Sequence, residues 1–152
     1  MKRRGFIALA LGLPLVARAQ GQSRDEFFAS FDSDGLVKTV TGGVAAKRGR
    51  VKLELPLLAD NGNSVEMKVS VTSPMSATDH VKTLRLLSAR NPERDMAVFH
   101  LGPRAGVAEV ASRVRLAGSQ RVVALAEMSD GSWWMDTADV VVTLSACIDG
   151  TG

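Results

Sequence analysis

The residue whose chemistry stands out in this 152-residue chain is Cys147, its single cysteine. It lies in Ser145-Ala146-Cys147-Ile148-Asp149-Gly150-Thr151-Gly152, at the very end of the chain. A buried cysteine usually sits inside an element and packs as a small hydrophobe. This one follows the last predicted strand, where chain ends are commonly mobile. An unpaired thiol is unusual on an exported protein, because the compartment oxidises thiols. It points to an intermolecular disulfide or to a thiol used for chemistry. The thiolate is the reactive form, and an ordinary thiol with a pKa of about 8.5 is only a few per cent ionised at pH 7. No cation adjoins Cys147 in the sequence. Activation therefore has to come from the fold or from a docked enzyme.

Other chemistry is thinly supplied. One cysteine excludes a disulfide scaffold and a Cys₂His₂ zinc site. His80, His100 and Cys147 are the only soft ligands, so no metal or other cofactor is expected. No G-x-S-x-G turn marks a serine nucleophile, and no phosphate loop or dinucleotide fingerprint is present. His80 and His100 read as packed or surface histidines. The acidic run Asp32-Ser33-Asp34-Gly35 lacks the glycine and glutamate positions of an EF-hand, and it reads as a helix stop. The basic run Lys47-Arg48-Gly49-Arg50 has no aromatic neighbours in sequence and reads as a solvated loop, so nucleic acid is not an expected partner.

Charge and leader go together. The chain carries 19 Lys+Arg and 16 Asp+Glu, a net +3. Four of the basic residues, Lys2, Arg3, Arg4 and Arg18, fall in the first 19 positions, which hold no acid; the remainder has 15 basic against 16 acidic residues, a net −1. Lys2-Arg3-Arg4 is a positive n-region. Phe6–Val16 is an apolar stretch too short to span a bilayer, and Ala17-Arg18-Ala19 is a small-x-small cleavage site. Residues 1–19 therefore read as an export signal, with the mature chain starting at Gln20. Arg3-Arg4-Gly5-Phe6-Ile7 resembles a twin-arginine signal. The expected location is the bacterial periplasm. No second long apolar run exists, and no membrane partner is expected.

The elements that must position the thiol follow from hydrophobic period. Ser23 and Glu26 form a capping box for a short helix with a Phe27, Phe28, Phe31 stripe. From residue 50 the period becomes two. Val51, Leu53 and Leu55 alternate with charged residues, as do Val65, Met67, Val69 and Val71 with polar ones; Asp60-Asn61-Gly62-Asn63 between them is a turn signal. Further strands are predicted at 80–87, 95–101, 107–116, 121–128 and 139–145. About seven antiparallel strands with regular punctuation give an all-β fold class, an immunoglobulin-like β-sandwich behind a short N-terminal helix. Trp133 and Trp134, adjacent in a strand, would point to opposite faces, one into the core and one near the surface. Past Leu144, alternation puts Cys147 on the more polar side shared by Thr143 and Ser145, exposed and close to the sandwich.

The residues resemble a known family. Val51-Lys52-Leu53-Glu54-Leu55-Pro56, Leu58-Ala59-Asp60-Asn61-Gly62, Asn91-Pro92 and Val98-Phe99-His100-Leu101-Gly102-Pro103 carry the likeness. It is most specific at Arg113-Val114-Arg115-Leu116-Ala117-Gly118-Ser119-Gln120, with Ser129-Asp130-Gly131 after it. Together they resemble SoxY, the sulfur carrier subunit of the bacterial thiosulfate-oxidising system, over most of residues 20–152. The resemblance implies an immunoglobulin-like sandwich and a C-terminal cysteine arm, here residues 145–152. It implies a carrier and not an enzyme. The arm's thiol is joined to thiosulfate, separate Sox enzymes process the attached sulfur, and a SoxZ subunit forms a heterodimer with the carrier. By position Cys147 matches the carrier cysteine.

The likeness departs from the family at the arm. The family ends in Gly-Gly-Cys-Gly-Gly, whereas Cys147 is flanked by Ser145-Ala146 and Ile148-Asp149. Glycine gives an arm its freedom, Ile148 is stiff, and Asp149 brings negative charge to a site for an anion. Two alternatives stay open on the sequence. One is a non-catalytic interaction subunit whose cysteine is vestigial or bridges two chains. The other is a diverged carrier-like paralogue serving another periplasmic oxidation system.

Overall fold

Ser23 opens the first helix as its sequence predicts. Its hydroxyl accepts the Glu26 N–H at 3.2 Å, and the Glu26 carboxylate accepts the Ser23 N–H at 2.9 Å. In the computed structural model, which describes residues 22–145, this helix α1 spans Arg24–Ala29. Phe27 meets Phe28 and Phe31 edge-on, with centroids 5.2 and 5.3 Å apart. The acidic run that ends α1 also begins a second helix, α2 (Ser33–Thr41), because Asp32 turns its carboxylate to accept the Gly35 N–H at 2.8 Å. A run of Asp and Ser is as good a cap as a stop, and the period of Val37 and Val40 decides for the cap. Gly42, at φ +67°, closes α2 in a conformation that glycine adopts without strain.

Among the described residues nine strands form two facing sheets, eight of them built from residue 50 onward. They are β1 (Ala46–Lys47), β2 (Val51–Glu54), β3 (Leu58–Asn61), β4 (Val65–Val71), β5 (Val81–Ser88), β6 (Asp95–His100), β7 (Ala108–Val114), β8 (Gln120–Met128) and β9 (Trp133–Leu144). The large sheet runs β1-β9-β8-β5-β6, with β3 also on β9; the small sheet is β2-β4-β7. All seven predicted strands are present in this immunoglobulin-like sandwich. Two short ones are added, and both run parallel to β9, not antiparallel. The reason lies in β9's length of 12 residues. The chain from residue 46 to 61 travels alongside it, pairs at both ends, and switches across to the small sheet between them. There Val51–Glu54 pair with Val71–Lys68.

Alternate residues of the two sheets fill the core. Val69, Val81, Leu84, Val122 and Val140 are among the side chains wholly removed from solvent or nearly so, each adding about 1.5–3 kcal/mol. The large sheet is apolar on its outer face too, at Leu87, Val123, Leu125 and Met135. Val37 of α2 covers that patch, which is why β8 reads as a nearly continuous apolar run. Trp133 and Trp134 do point to opposite faces. Neither is exposed: Trp133 packs in the cluster under α2, and Trp134 packs against the inter-sheet core. The surface tryptophan expected from the sequence is covered because that outer face has its own helix.

Candidate functional site

The end of β9 is the root from which the expected cysteine arm would leave, and Ser145 is the last described residue. Cys147 and the leader at 1–19 lie outside the described residues. On one flank of the root, β3 pairs in parallel as far as Asn61 opposite Leu144. The Gly62 N–H donates to the Leu144 carbonyl at 2.7 Å, and the Thr143 hydroxyl donates to the Asp60 carbonyl at 2.9 Å. On the other flank, β8 begins at Gln120 opposite Val140 and reaches no further. Ser119 continues its work with a side chain. Its hydroxyl accepts the Val142 N–H at 2.9 Å and donates to the Val142 carbonyl at 3.4 Å. Val140 and Val142 are buried, whereas Thr143 and Ser145 are exposed. Leu144, on the side of Val140 and Val142, is 61% exposed as well, so both sides of the strand face solvent where β9 ends.

A buried polar cluster fixes the loops around this root. Ser88 and Gln120 are fully buried, and the Ser88 hydroxyl donates to the Gln120 side-chain carbonyl. Asn91 joins the two loops. Its amide donates to the Arg115 carbonyl at 2.8 Å, and its Oδ1 accepts the Ala117 N–H at 3.0 Å and the Gln120 amide at 2.9 Å. The Ser88 hydroxyl accepts the Asn91 N–H at 2.7 Å. Buried polar groups satisfied this completely hold one arrangement of the backbone. Asn91-Pro92 and Arg113–Gln120 carried the sequence resemblance. The fold brings them together at the end of the molecule from which the arm departs.

Arg90 completes the cluster. Its Nη1 donates to the Ser119 carbonyl at 3.3 Å. Gly118, at φ +157°, leaves room for it: a Cβ there would stand 2.9 Å from the Arg90 Cζ. The loop thus needs glycine for both its backbone angle and its neighbour. Nothing in the local sequence marks Arg90, whose position depends on contacts with residues about thirty places away.

The other candidates are not brought together with the root. His80 is half-buried at the opposite end of the sandwich, its Nδ1 2.9 Å from the Ser76 carbonyl oxygen. His100 is exposed where β6 ends. Among the described residues no group of three or more His, Cys, Asp or Glu side chains is placed to hold a metal ion. The basic run is not a free loop. Lys47 and Arg50 lie 5.7 and 5.4 Å from the Trp134 ring centroid. Arg48 reaches Asp136 at 3.5 Å and Arg50 reaches Asp79 at 3.1 Å. The aromatic partner is remote in sequence and adjacent in space. On the outer face of the large sheet, a two-point hydrogen bond from Arg121 to Asp139 raises the guanidinium's pKa further.

A family model described as "Sulfur oxidation protein SoxY" matches residues 37–147. The chain belongs to the SoxY family. The match runs from the second half of α2 through both sheets, and its last residue is Cys147. No curated protein sequence matches the chain. Among solved structures it is similar to the sulfur carrier protein SoxY from Chlorobium limicola f thiosulfatophilum. That likeness has a TM-score of 0.60 and 21% identity, over 73% of this chain and 96% of that one. A superoxide reductase (neelaredoxin) from Ignicoccus hospitalis is similar at TM-score 0.56 and 16% identity, over 62% of this chain and 80% of that one. The superoxide reductase from Nanoarchaeum equitans follows at TM-score 0.52 and 12% identity, over 63% and 100%. At such identities these structures share a sandwich fold. The SoxY family assignment rests on the sequence match, and it makes the chain a sulfur-carrier-type protein.

Proposed function

We propose that this protein is a periplasmic sulfur carrier that holds thiosulfate-derived sulfur covalently on Cys147 while partner enzymes process it. The observation that carries this reading is the family match ending on Cys147, the only cysteine in the chain. The structure supports it at the root. β9 leads to the cysteine from a braced strand end at which Thr143, Leu144 and Ser145 are all exposed, so the thiol is expected outside the sandwich. The protein itself performs no chemistry on the cargo in this reading. A SoxZ-like subunit pairs with it, and Sox enzymes supply the oxidation and hydrolysis.

The non-glycine flanks favour a second form of the same reading, a diverged carrier with an altered cargo or altered enzymes. Intact mass of the protein from a host oxidising thiosulfate decides between these forms and an interaction subunit. A carrier shows sulfur adducts confined to Cys147, and the adduct mass names the cargo. Unmodified chain or a disulfide-linked dimer alone would overturn the carrier reading.

A further inference from the structure

A free sheet edge is a row of unpaired backbone donors and acceptors, and proteins blunt such edges with short strands, bulges or inward-pointing charge. Most edges of this sandwich are blunted. β1 and β3 are two and four residues long. β2 has four residues, and the Asp136 carboxylate accepts its Leu53 N–H at 2.9 Å. β6 carries a register shift against Leu86 and Leu87 of β5. β7 has none of these devices. It ends the small sheet, and its seven residues pair with β4 in unbroken register, from Ala108 opposite Val71 to Val114 opposite Val65. It holds no proline, and among the described residues no side chain bonds to its backbone. Its two charged residues, Glu109 and Arg113, share the outer face with Ala111, and its inner face is uncharged.

The order of side chains along this edge is self-complementary. Ala111 is the middle residue of β7. An antiparallel copy centred on Ala111 sets Glu109 opposite Arg113 twice, once on each side of a two-fold axis, with Ala111 opposite itself. On the inner face Val110 meets Ser112, and Ala108 meets Val114. Opposite residues stand about 4.5–5.5 Å apart at Cβ, close enough for Glu and Arg to pair. Within the chain Arg113 already reaches Glu66 at 2.6 Å, and Glu109 reaches Lys68 at 3.1 Å. The second copy extends these pairs into an alternating row, Glu66–Arg113 of one chain followed by Glu109–Lys68 of the other. A copy centred on Val110 or Ser112 would unpair one end of β7 and set Arg113 opposite Val107 or Ala111, so charge fixes the register. The inner side adds apolar contact. Between β7 and β6 the sandwich opens in a cleft of about 520 Å³ whose lining includes Met67, Met96, Phe99 and Val114. Val110 of the second copy, opposite Ser112, stands over it.

We propose that β7 is a self-association edge, to which a second copy of this chain adds antiparallel about Ala111, joining the two small sheets into one of six strands. Such an isologous contact closes after two copies. The proposal rests on β7 and its neighbours, and it is independent of the carrier reading.

The test uses the mature chain with Cys147→Ser, which excludes dimers linked through that thiol. Sedimentation velocity is expected to show a reversible monomer–dimer equilibrium with a Kd on the order of 10–100 μM, as suits a small transient contact. Ser112→Lys points a charge inward on the edge; solvated in the monomer and facing Val110 in the dimer, it should weaken association at least about tenfold. Glu109→Arg and Arg113→Glu should each lose association, because each sets like charges opposite one another. An equimolar mixture of the two should regain it, since both cross-strand pairs are then opposite in sign while Lys68 and Glu66 face the same residues as before mixing. Under mild oxidation Ala111→Cys should form a linked dimer, and Val98→Cys on β6 should not. A chain that is monomeric at every concentration, a mixture that stays apart, or a dimer indifferent to Ser112→Lys would overturn the proposal. A dimer dissolved by a co-expressed SoxZ-like subunit would assign the edge to that subunit and overturn it as well.

Discussion

Asn91 is one side chain with three partners in the facing loop, and its loss leaves the Arg115 carbonyl, the Ala117 N–H and the Gln120 amide each short of a bond. Leaving buried groups unpaired costs about 1–3 kcal/mol apiece before relaxation. Asn91→Ala is therefore expected to destabilise the domain by about 2–4 kcal/mol, read as a fall in the urea midpoint. Cys147 behaves oppositely. Cys147→Ser should abolish sulfur loading and change stability by less than about 1 kcal/mol, as for a surface site. The native thiol should alkylate rapidly and stoichiometrically. A thiol that reacts only after denaturation would be a structural cysteine, against the carrier reading. Replacing Ile148 and Asp149 with glycine should raise turnover by thiosulfate-oxidising enzymes, which checks the flanks as the obstacle. The sequence offers Cys147 as its single cysteine, which lies outside the described residues, whereas the buried Asn91 cluster joins loops that no local pattern pairs. Arg90 was not legible either, since its position comes from Ser119 and Gly118 across a loop–loop contact.

At the scale of elements, β9 shows where sequence patterns succeed and where they fail. From Val140 to Thr143 it alternates because one face meets the core and the other is more open to solvent, and the alternation ends at Leu144, which is exposed. Its first half does not, because α2 covers Met135 and Trp133 on the outer face while Trp134 packs inward. A strand apolar on both faces carries no period-two signal, so the predicted start at residue 139 falls six residues late. β1 and β3 are short and owe their existence to β9. The brace at the far end can be tested. Ser119→Ala removes both bonds to Val142, and amide exchange at Val142 should accelerate about five- to tenfold, the equivalent of about 1 kcal/mol, while Ala138 is unaffected. The β8–β9 turn should respond to acid. The Asp130 carboxylate accepts the Ser132 hydroxyl at 2.6 Å and its N–H at 2.9 Å, which lowers its pKa, the hydroxyl bond contributing most. The turn is thus stabilised above the ordinary carboxylate range, and the stabilisation is lost as pH falls through the lowered value. Ser132→Ala should move the Asp130 midpoint upward in an NMR titration.

At the scale of the whole molecule, the proposed reading adds an export leader before the sandwich and a cysteine arm after it. Residues 1–19 hold four basic residues and no acid, so removing them as the proposed leader would leave a chain of net −1, and N-terminal sequencing of periplasmic protein is then expected to begin at or near Gln20. For a carrier whose arm must enter other proteins, the body needs a docking face that stays clear of the root. The outer face of the small sheet is poorly suited to the centre of such an interface. Lys52 with Glu54, Lys68 with Glu109, and Arg113 with Glu66 form a ladder of ion pairs across it, and charged residues are depleted at interface cores. The paired SoxZ-like subunit is expected to sit elsewhere. Co-expression with such a subunit should give a 1:1 complex by size-exclusion with light scattering. Lys68→Glu should leave that complex intact, since the exposed Lys68–Glu109 pair contributes no more than about 1 kcal/mol even to the chain's own fold. A mature chain that stays monomeric beside its partner would remove the heterodimer from the proposal. A complex lost in Lys68→Glu would place the partner on the small sheet, and the ladder would then be part of the interface.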